Sequence, residues 1–212
     1  MKNRFGMLVL GLGSLVVAGY AAAQATAEKK APAAATPTAE IGKPAPDFKL
    51  KDTDGKEHTL SSLKGKVVVL EWTNHTCPFV VYHQGEARTM QKSFETFKGK
   101  DVVWLAIDSS YYCEEKKAGI QQWIKDKGIN YPILLDASGQ TGKAYGAKTT
   151  PHMFVIDKNG VLAYAGAIDD NPRKDKTNPR NYVIEAVNAA LAGETVQTAS
   201  TDPYGCSVKY KQ

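Results

Sequence analysis

The chain has 212 residues, 27 basic and 22 acidic side chains, a formal net charge of +5 and 42% hydrophobic residues. So mild a charge balance gives no reason to expect nucleic-acid or anionic-membrane binding. Three cysteines in a chain this apolar exclude a small scaffold held together by disulfides.

Residues 1–23 read as a bacterial signal peptide: Lys2 and Arg4, an apolar stretch from Phe5 to Tyr20, then small residues from Ala21 to Ala25. The stretch is too short and glycine-rich for a membrane span, and no cysteine follows it to carry a lipid. The expectation is a periplasmic or otherwise exported protein with no membrane anchor after cleavage. Losing Lys2 and Arg4 lowers the net charge to +3, with 25 basic against 22 acidic residues. Residues 24–40 are rich in Ala, Pro, Thr and Lys and hold no large apolar side chain, which reads as a flexible linker. Residues 41–195 suffice for one domain with its own core. Residues 196–212 follow as a tail carrying Cys206.

Within the domain, strand-like and helix-like stretches alternate, the pattern of an α/β fold with parallel crossovers. Lys66–Trp72, Asp101–Ile107 and Tyr131–Leu135 read as buried strands. Pro78–Phe97 reads as helix with a break at Gly85, and Glu114–Lys127 as helix with Ile120, Trp123 and Ile124 on one face. Met153–Tyr164 reads as a hairpin turned by Asn159-Gly160, and Asn181–Ala192 as a last helix ended by Gly193. The basic group Arg173, Lys174, Lys176 and Arg180 alternates with Asp169, Asp170 and Asp175 and reads as a solvated loop.

Cys77 stands where the first apolar run gives way to a polar turn, just ahead of Pro78. A thiol at a helix start meets unpaired backbone N–H groups and the positive end of the helix dipole, and both favour the thiolate. The bland alternative is a buried cysteine acting as a small hydrophobe. Three cysteines are an odd number, so at least one thiol is free or pairs outside the chain. Cys206, in a segment containing Gly, Ser and Pro, is the first candidate to resolve a product formed on Cys77, because a tail can swing towards a site. Cys113 is the second, ranked lower because Glu114 and Glu115 would repel its thiolate. His75, two residues before Cys77, and His152 are candidates to stabilise a thiolate or shuttle its proton.

Several segments resemble one family. Ile41-Gly42-Lys43-Pro44-Ala45-Pro46-Asp47-Phe48, Asp54-Gly55-Lys56 and Leu60–Lys66 look like the opening of the redoxin branch of thioredoxin-like proteins, the alkyl hydroperoxide reductase and thiol-specific antioxidant (AhpC/TSA) type. Ala144–Ala147 and Thr150–Asp157 resemble its second half. Asn74-His75, Cys77-Pro78-Phe79-Val80 and Gly205–Tyr210 resemble a peroxiredoxin-like subgroup. The resemblance implies a thioredoxin-like three-layer fold with a central mixed sheet flanked by helices. It also implies a cis Pro151 lying against Cys77, which draws Thr150 into the site.

Two positions depart from the family patterns. Val80 stands where thioredoxins carry their second cysteine, so no local dithiol exists. Asn74 and Leu70 stand where peroxiredoxins carry Thr or Ser and Pro, so the peroxide-activating frame is incomplete, although the Asn74 amide is a candidate donor. The reading is a thiol-dependent oxidoreductase acting through Cys77 on a peroxide or a protein disulfide. It needs no cofactor and is recharged by a reducing dithiol protein. Two other readings stay open: a copper-handling protein using Cys and His ligands, and a thioredoxin-like binding module without turnover.

Overall fold

A computed structural model describes residues 38–211. The signal peptide and residues 24–37 of the expected linker lie outside the described residues.

The strands are β1 (Lys49–Asp52), β2 (Glu57–Thr59), β3 (Val67–Trp72), β4 (Val102–Asp108), β5 (Ile133–Leu135), β6 (Thr149–Thr150), β7 (His152–Ile156), β8 (Leu162–Gly166) and β9 (Cys206–Ser207). The α-helices are α1 (Pro78–Val81), α2 (Thr89–Thr96), α3 (Lys117–Lys127), α4 (Gln140–Tyr145) and α5 (Tyr182–Ala192). Among the described residues one seven-stranded sheet runs β2-β1-β5-β4-β3-β7-β8, and β6 pairs with β9 apart from it. The β3–β4 and β4–β5 pairs are parallel, while β3–β7, β7–β8, β1–β5 and β1–β2 are antiparallel. The sheet is therefore mixed, as the family resemblance implies.

Every residue of the central strand β3 is buried, which is why it reads as an unbroken apolar run. Its side chains divide between two cores. Val67 and Val69 face a cluster with Met90, Ile120, Val183 and Val187 from α2, α3 and α5. Val68, Leu70 and Trp72 face a second cluster with Phe154, Ala144 and Tyr145. The helices packed on these clusters make the outer layers of the three-layer fold.

The expected strands stand to within a residue or two, with β5 beginning only after Pro132. The Pro78–Phe97 helix departs more. After α1 the chain widens into a π-turn over Tyr82–Glu86, closed by the Ala87 N–H on the Tyr82 carbonyl at 2.9 Å. The break falls at Arg88, whose φ of 53° is left-handed, and not at Gly85. The extra residue turns both His83 and Gln84 inward, and both are buried. The Glu114–Lys127 helix begins at Lys117, after a run of turns.

Neither end of the domain is as loose as expected. Ala39 already packs on the second core and bonds the Ala144 carbonyl at 2.8 Å. Residues 196–211 are pinned along the domain. Val196 is buried, Thr201 Oγ1 bonds the Ala167 N–H and the Tyr164 hydroxyl, and Tyr210 donates to the Ala147 carbonyl at 2.8 Å. The expected swinging tail is a packed segment, because its aromatic and hydroxyl side chains find partners in the fold.

Candidate functional site

Cys77 caps α1, with extended backbone angles and Pro78 in the first helical turn. The helix starts here because Pro78 has no N–H to leave unpaired and a pre-set φ. The Cys77 N–H bonds the Asn74 carbonyl at 2.9 Å, and its own carbonyl accepts from Val81. Its side chain is only 4% exposed. The Thr150–Pro151 peptide is cis, and the Thr150 carbonyl oxygen lies 3.0 Å from Cys77 Sγ.

Cys206 reaches the same place by strand pairing. β9 runs antiparallel to β6 with Thr150 opposite Cys206 and Thr149 opposite Ser207. Gly205, at φ +139°, lies so close to the Thr150 carbonyl that a side chain there would overlap it. Thr150 thus lies against both cysteines, and both are free thiols.

Burial alone would raise the Cys77 pKa. The neighbouring Cys206 thiol, then Thr150 and the Val80 and Cys206 backbone, outweigh it and hold the thiol below its ordinary 9.0. Cys206 moves the other way, pushed up to about 11 by burial first and then by the neighbouring Cys77. Cys77 is thus the more acidic thiol of the two.

The remaining expected residues take other roles. Asn74 is buried and fully engaged: its amide nitrogen donates to Ser110 Oγ at 2.8 Å and the Tyr112 hydroxyl at 2.9 Å, while its oxygen accepts from Thr76. It builds the turn before Cys77 and has no donor left for a substrate. His75 lies against Gly119 of α3, and burial lowers its pKa, followed by nearby Lys116. It is not among the groups that set the Cys77 thiolate. His152 packs on Phe154 with ring centroids 4.4 Å apart, and its Nδ1 accepts from the Lys148 N–H at 3.3 Å. Burial pushes it down to about 4, so it is a neutral core imidazole and not a proton shuttle.

Cys113 is fully buried in the first core, beside Asp108, Glu114 and Asp136. Burial first, then those carboxylates, push its thiol up to about 12. It is an inert core thiol and not a resolver. Among the described residues, no group of three or more His, Cys, Asp or Glu side chains gathers as a metal site.

Three groups enter that the sequence reading passed over. Glu71, inside β3, is wholly buried; its oxygens accept from Gln84 Nε2 at 2.6 Å and Trp104 Nε1 at 3.0 Å. Burial raises its carboxyl to about 7. A charged residue within an apolar strand was the available signal. Lys174, from the loop read as solvated, lies over the Phe79 and Tyr82 rings at 5.0 and 4.8 Å, a cation beside the cysteine pair. Tyr204 packs edge-on to Phe79, with centroids 5.9 Å apart.

The model of one family, described as AhpC/TSA, matches residues 41–165. The chain belongs to the AhpC/TSA family. Among curated relatives of this AhpC/TSA chain, it is 33% identical over 139 residues to the thiol-disulfide oxidoreductase ResA of Bacillus subtilis, covering 65% of this chain and 74% of that protein. The ResA of Geobacillus thermodenitrificans is 31% identical over 122 residues, covering 58% and 66%. The chain thus spans about two thirds of the length of these relatives.

Among solved structures, a hypothetical protein from Sinorhizobium meliloti matches with a TM-score of 0.72 at 30% identity, over 82% of this chain and 96% of that one. A DsbE-type thiol:disulfide interchange protein from Chlorobium tepidum shares the fold, with a TM-score of 0.56 at 22% identity over 73% and 99%. The fold is thioredoxin-like, and the comparisons put this AhpC/TSA chain among thiol-dependent oxidoreductases. Within that fold Val80, where a thioredoxin carries its second cysteine, is buried. Cys206 instead stands opposite Thr150, on the same residue that contacts Cys77.

Proposed function

We propose that the protein is an exported thiol–disulfide oxidoreductase in which Cys77 attacks and Cys206 resolves. The observation that carries this reading is the placement of both cysteines on Thr150: Cys206 stands opposite it in the β6–β9 pair, and its carbonyl oxygen lies 3.0 Å from Cys77 Sγ. In the reduced protein the Cys77 thiolate attacks one sulfur of a substrate disulfide. That bond breaks, and the leaving sulfur departs as a thiolate and takes a proton. Cys206, surrendering its proton, then attacks Cys77 Sγ and expels the second substrate thiolate. The substrate gains two electrons, the protein holds a Cys77–Cys206 disulfide, and a dithiol partner protein restores it.

Disulfides suit this site better than peroxides. Peroxide cleavage needs donors aimed at the departing oxygen, and the Asn74 amide is committed to Ser110 and Tyr112. Export to a periplasm rests on the N-terminal charge and apolar pattern. Such a compartment is oxidising, so a reducing partner is required there.

The test is turnover of a protein disulfide and of hydrogen peroxide by wild type, Cys77→Ser and Cys206→Ser, with peptide mapping after mild oxidation. Disulfide turnover is expected to vanish in Cys77→Ser, and Cys206→Ser should accumulate a mixed disulfide with substrate. A wild type that maps no Cys77–Cys206 bridge overturns the resolving role.

A further inference from the structure

Between the Cys77 helix and the Cys206 segment lies a buried polar cluster that the reaction does not use. His83, in the π-turn that follows α1, is fully buried. Its Nε2 lies 3.0 Å from the Tyr204 hydroxyl and its Nδ1 lies 3.1 Å from Thr89 Oγ1. The Tyr204 hydroxyl in turn donates to Asp169 Oδ1, and Asp169 is buried. Burial, foremost, lowers the His83 pKa, so the ring is neutral. One arrangement of protons satisfies all these contacts: the Thr89 hydroxyl donates to Nδ1, Nε2–H donates to the Tyr204 oxygen, and Tyr204 donates to the Asp169 carboxylate.

The positions of these residues in the chain give the cluster its meaning. His83 belongs to the segment that Cys77 begins, and Tyr204 stands two residues before Cys206. The Tyr204 ring also packs against both Phe79 and His83, each with centroids 5.9 Å away. A single side chain therefore ties the strand carrying one sulfur to the helix carrying the other. The β6–β9 pairing is only two residues long, too short to register Cys206 unaided.

We propose that Tyr204, plugged by its hydroxyl into His83 and Asp169, is the latch that positions Cys206 on Cys77, and so governs the closing of the disulfide. Tyr204 touches neither sulfur nor substrate, so it is a positioning residue. It acts because intramolecular attack depends steeply on how well the reacting atoms are held, and errors near 1 Å cost large factors in rate. The inference rests on the resolving role assigned to Cys206.

The test is Tyr204→Phe, which keeps the ring against Phe79 and removes only the hydroxyl. The closing rate is read by mixing reduced protein with oxidised glutathione in excess and following the appearance of the Cys77–Cys206 bridge. The Cys77 pKa is read separately by thiolate absorbance in the reduced protein, and circular dichroism confirms the fold. Closure is expected to slow about tenfold or more, as for loss of a buried hydrogen bond to a charged group, and the Cys77 pKa should rise. In a Cys206→Ala background, Tyr204→Phe should raise the Cys77 pKa less than in wild type, because the thiol's share of the effect is gone and only the residue 206 backbone remains; a general loosening would shift it equally in both backgrounds.

An equal closing rate in Tyr204→Phe, or the same pKa rise in both backgrounds, overturns the latch. Absence of any bridge in wild type overturns the resolving role instead. The absorbance comparison still tests the latch in that case, since it needs no bridge.

Discussion

Thr150 stands opposite Cys206 in the β6–β9 pair and at the same time holds its carbonyl oxygen 3.0 Å from Cys77 Sγ. One residue thus measures the position of both sulfurs. An extended, cysteine-bearing strand lies along the turn ahead of a cis proline, and the chain itself supplies that strand. Cys77 is consequently nearly buried, with the Cys206 strand beside it.

The first expectation concerns charge on this pair. Cys77 should titrate below 9.0, and Cys206→Ala should raise its pKa by about one to two units, because a hydrogen bond to an ionised group contributes about 1.5–3 kcal/mol and one unit is about 1.36 kcal/mol. The signs of the linked stabilities oppose each other. The depressed Cys77 pKa adds stability that is present above the unfolded-state pKa and lost as pH falls through the folded value. The raised Cys206 pKa adds stability that is present below the unfolded-state pKa and lost as pH rises through about 11. Thiolate absorbance of wild type and Cys206→Ala checks the shift. Cys113, buried and pushed up to about 12, should be alkylated only after unfolding.

Gly205 should be intolerant in a specific way. A side chain at this position would overlap the Thr150 carbonyl, and its φ of +139° strains any L residue. Gly205→Ala should cost about 3 kcal/mol locally, from overpacking plus backbone strain. That exceeds what a two-residue strand pair can hold, so β9 should lift, slowing bridge formation and speeding alkylation of Cys77. Gly146→Ala is the control. Gly146 is also left-handed, at φ +61°, but has nothing within 4 Å, so its alanine variant should lose about 1 kcal/mol of stability and keep the bridging rate.

The contrast between these two glycines reflects what a sequence can carry. Buried strands such as β3 and β4 and the capped helix α5 show themselves as runs and periodicities, and Asn181 caps α5 through its side chain to the Ile184 N–H at 2.9 Å. Cys77 was legible as well, because a helix-opening thiol is a local feature. The pairing of Cys206 with Thr150 spans 56 residues and involves two-residue strands, which have no period to read. The inward turn of His83 follows from one extra residue in a π-turn, and periodicity treats such a residue as noise. His75 and Asn74 misled because closeness in sequence to Cys77 says little about direction: one ring turns to α3, the other amide to Ser110 and Tyr112.

Glu71 was visible as the one charged residue within an apolar strand, and its burial leads to the last expectation. Its carboxyl rises from an ordinary 4.5 to about 7 because burial penalises the charged form more than Gln84 and Trp104 can offset. A folded-state pKa raised above the unfolded one adds stability that is fully present below about 4.5 and lost as pH rises through about 7. The span of about 2.5 units corresponds to a loss on the order of 3 kcal/mol for this fully buried group. Denaturant unfolding from pH 4.5 to 8 should show that decline in wild type. Glu71→Gln cannot ionise, so that component of the slope should disappear, although the variant loses some stability at low pH where its amide meets the donors of Gln84 and Trp104. An unchanged slope in Glu71→Gln would mean that Glu71 ionises at an ordinary pH, with water reaching the centre of the sheet.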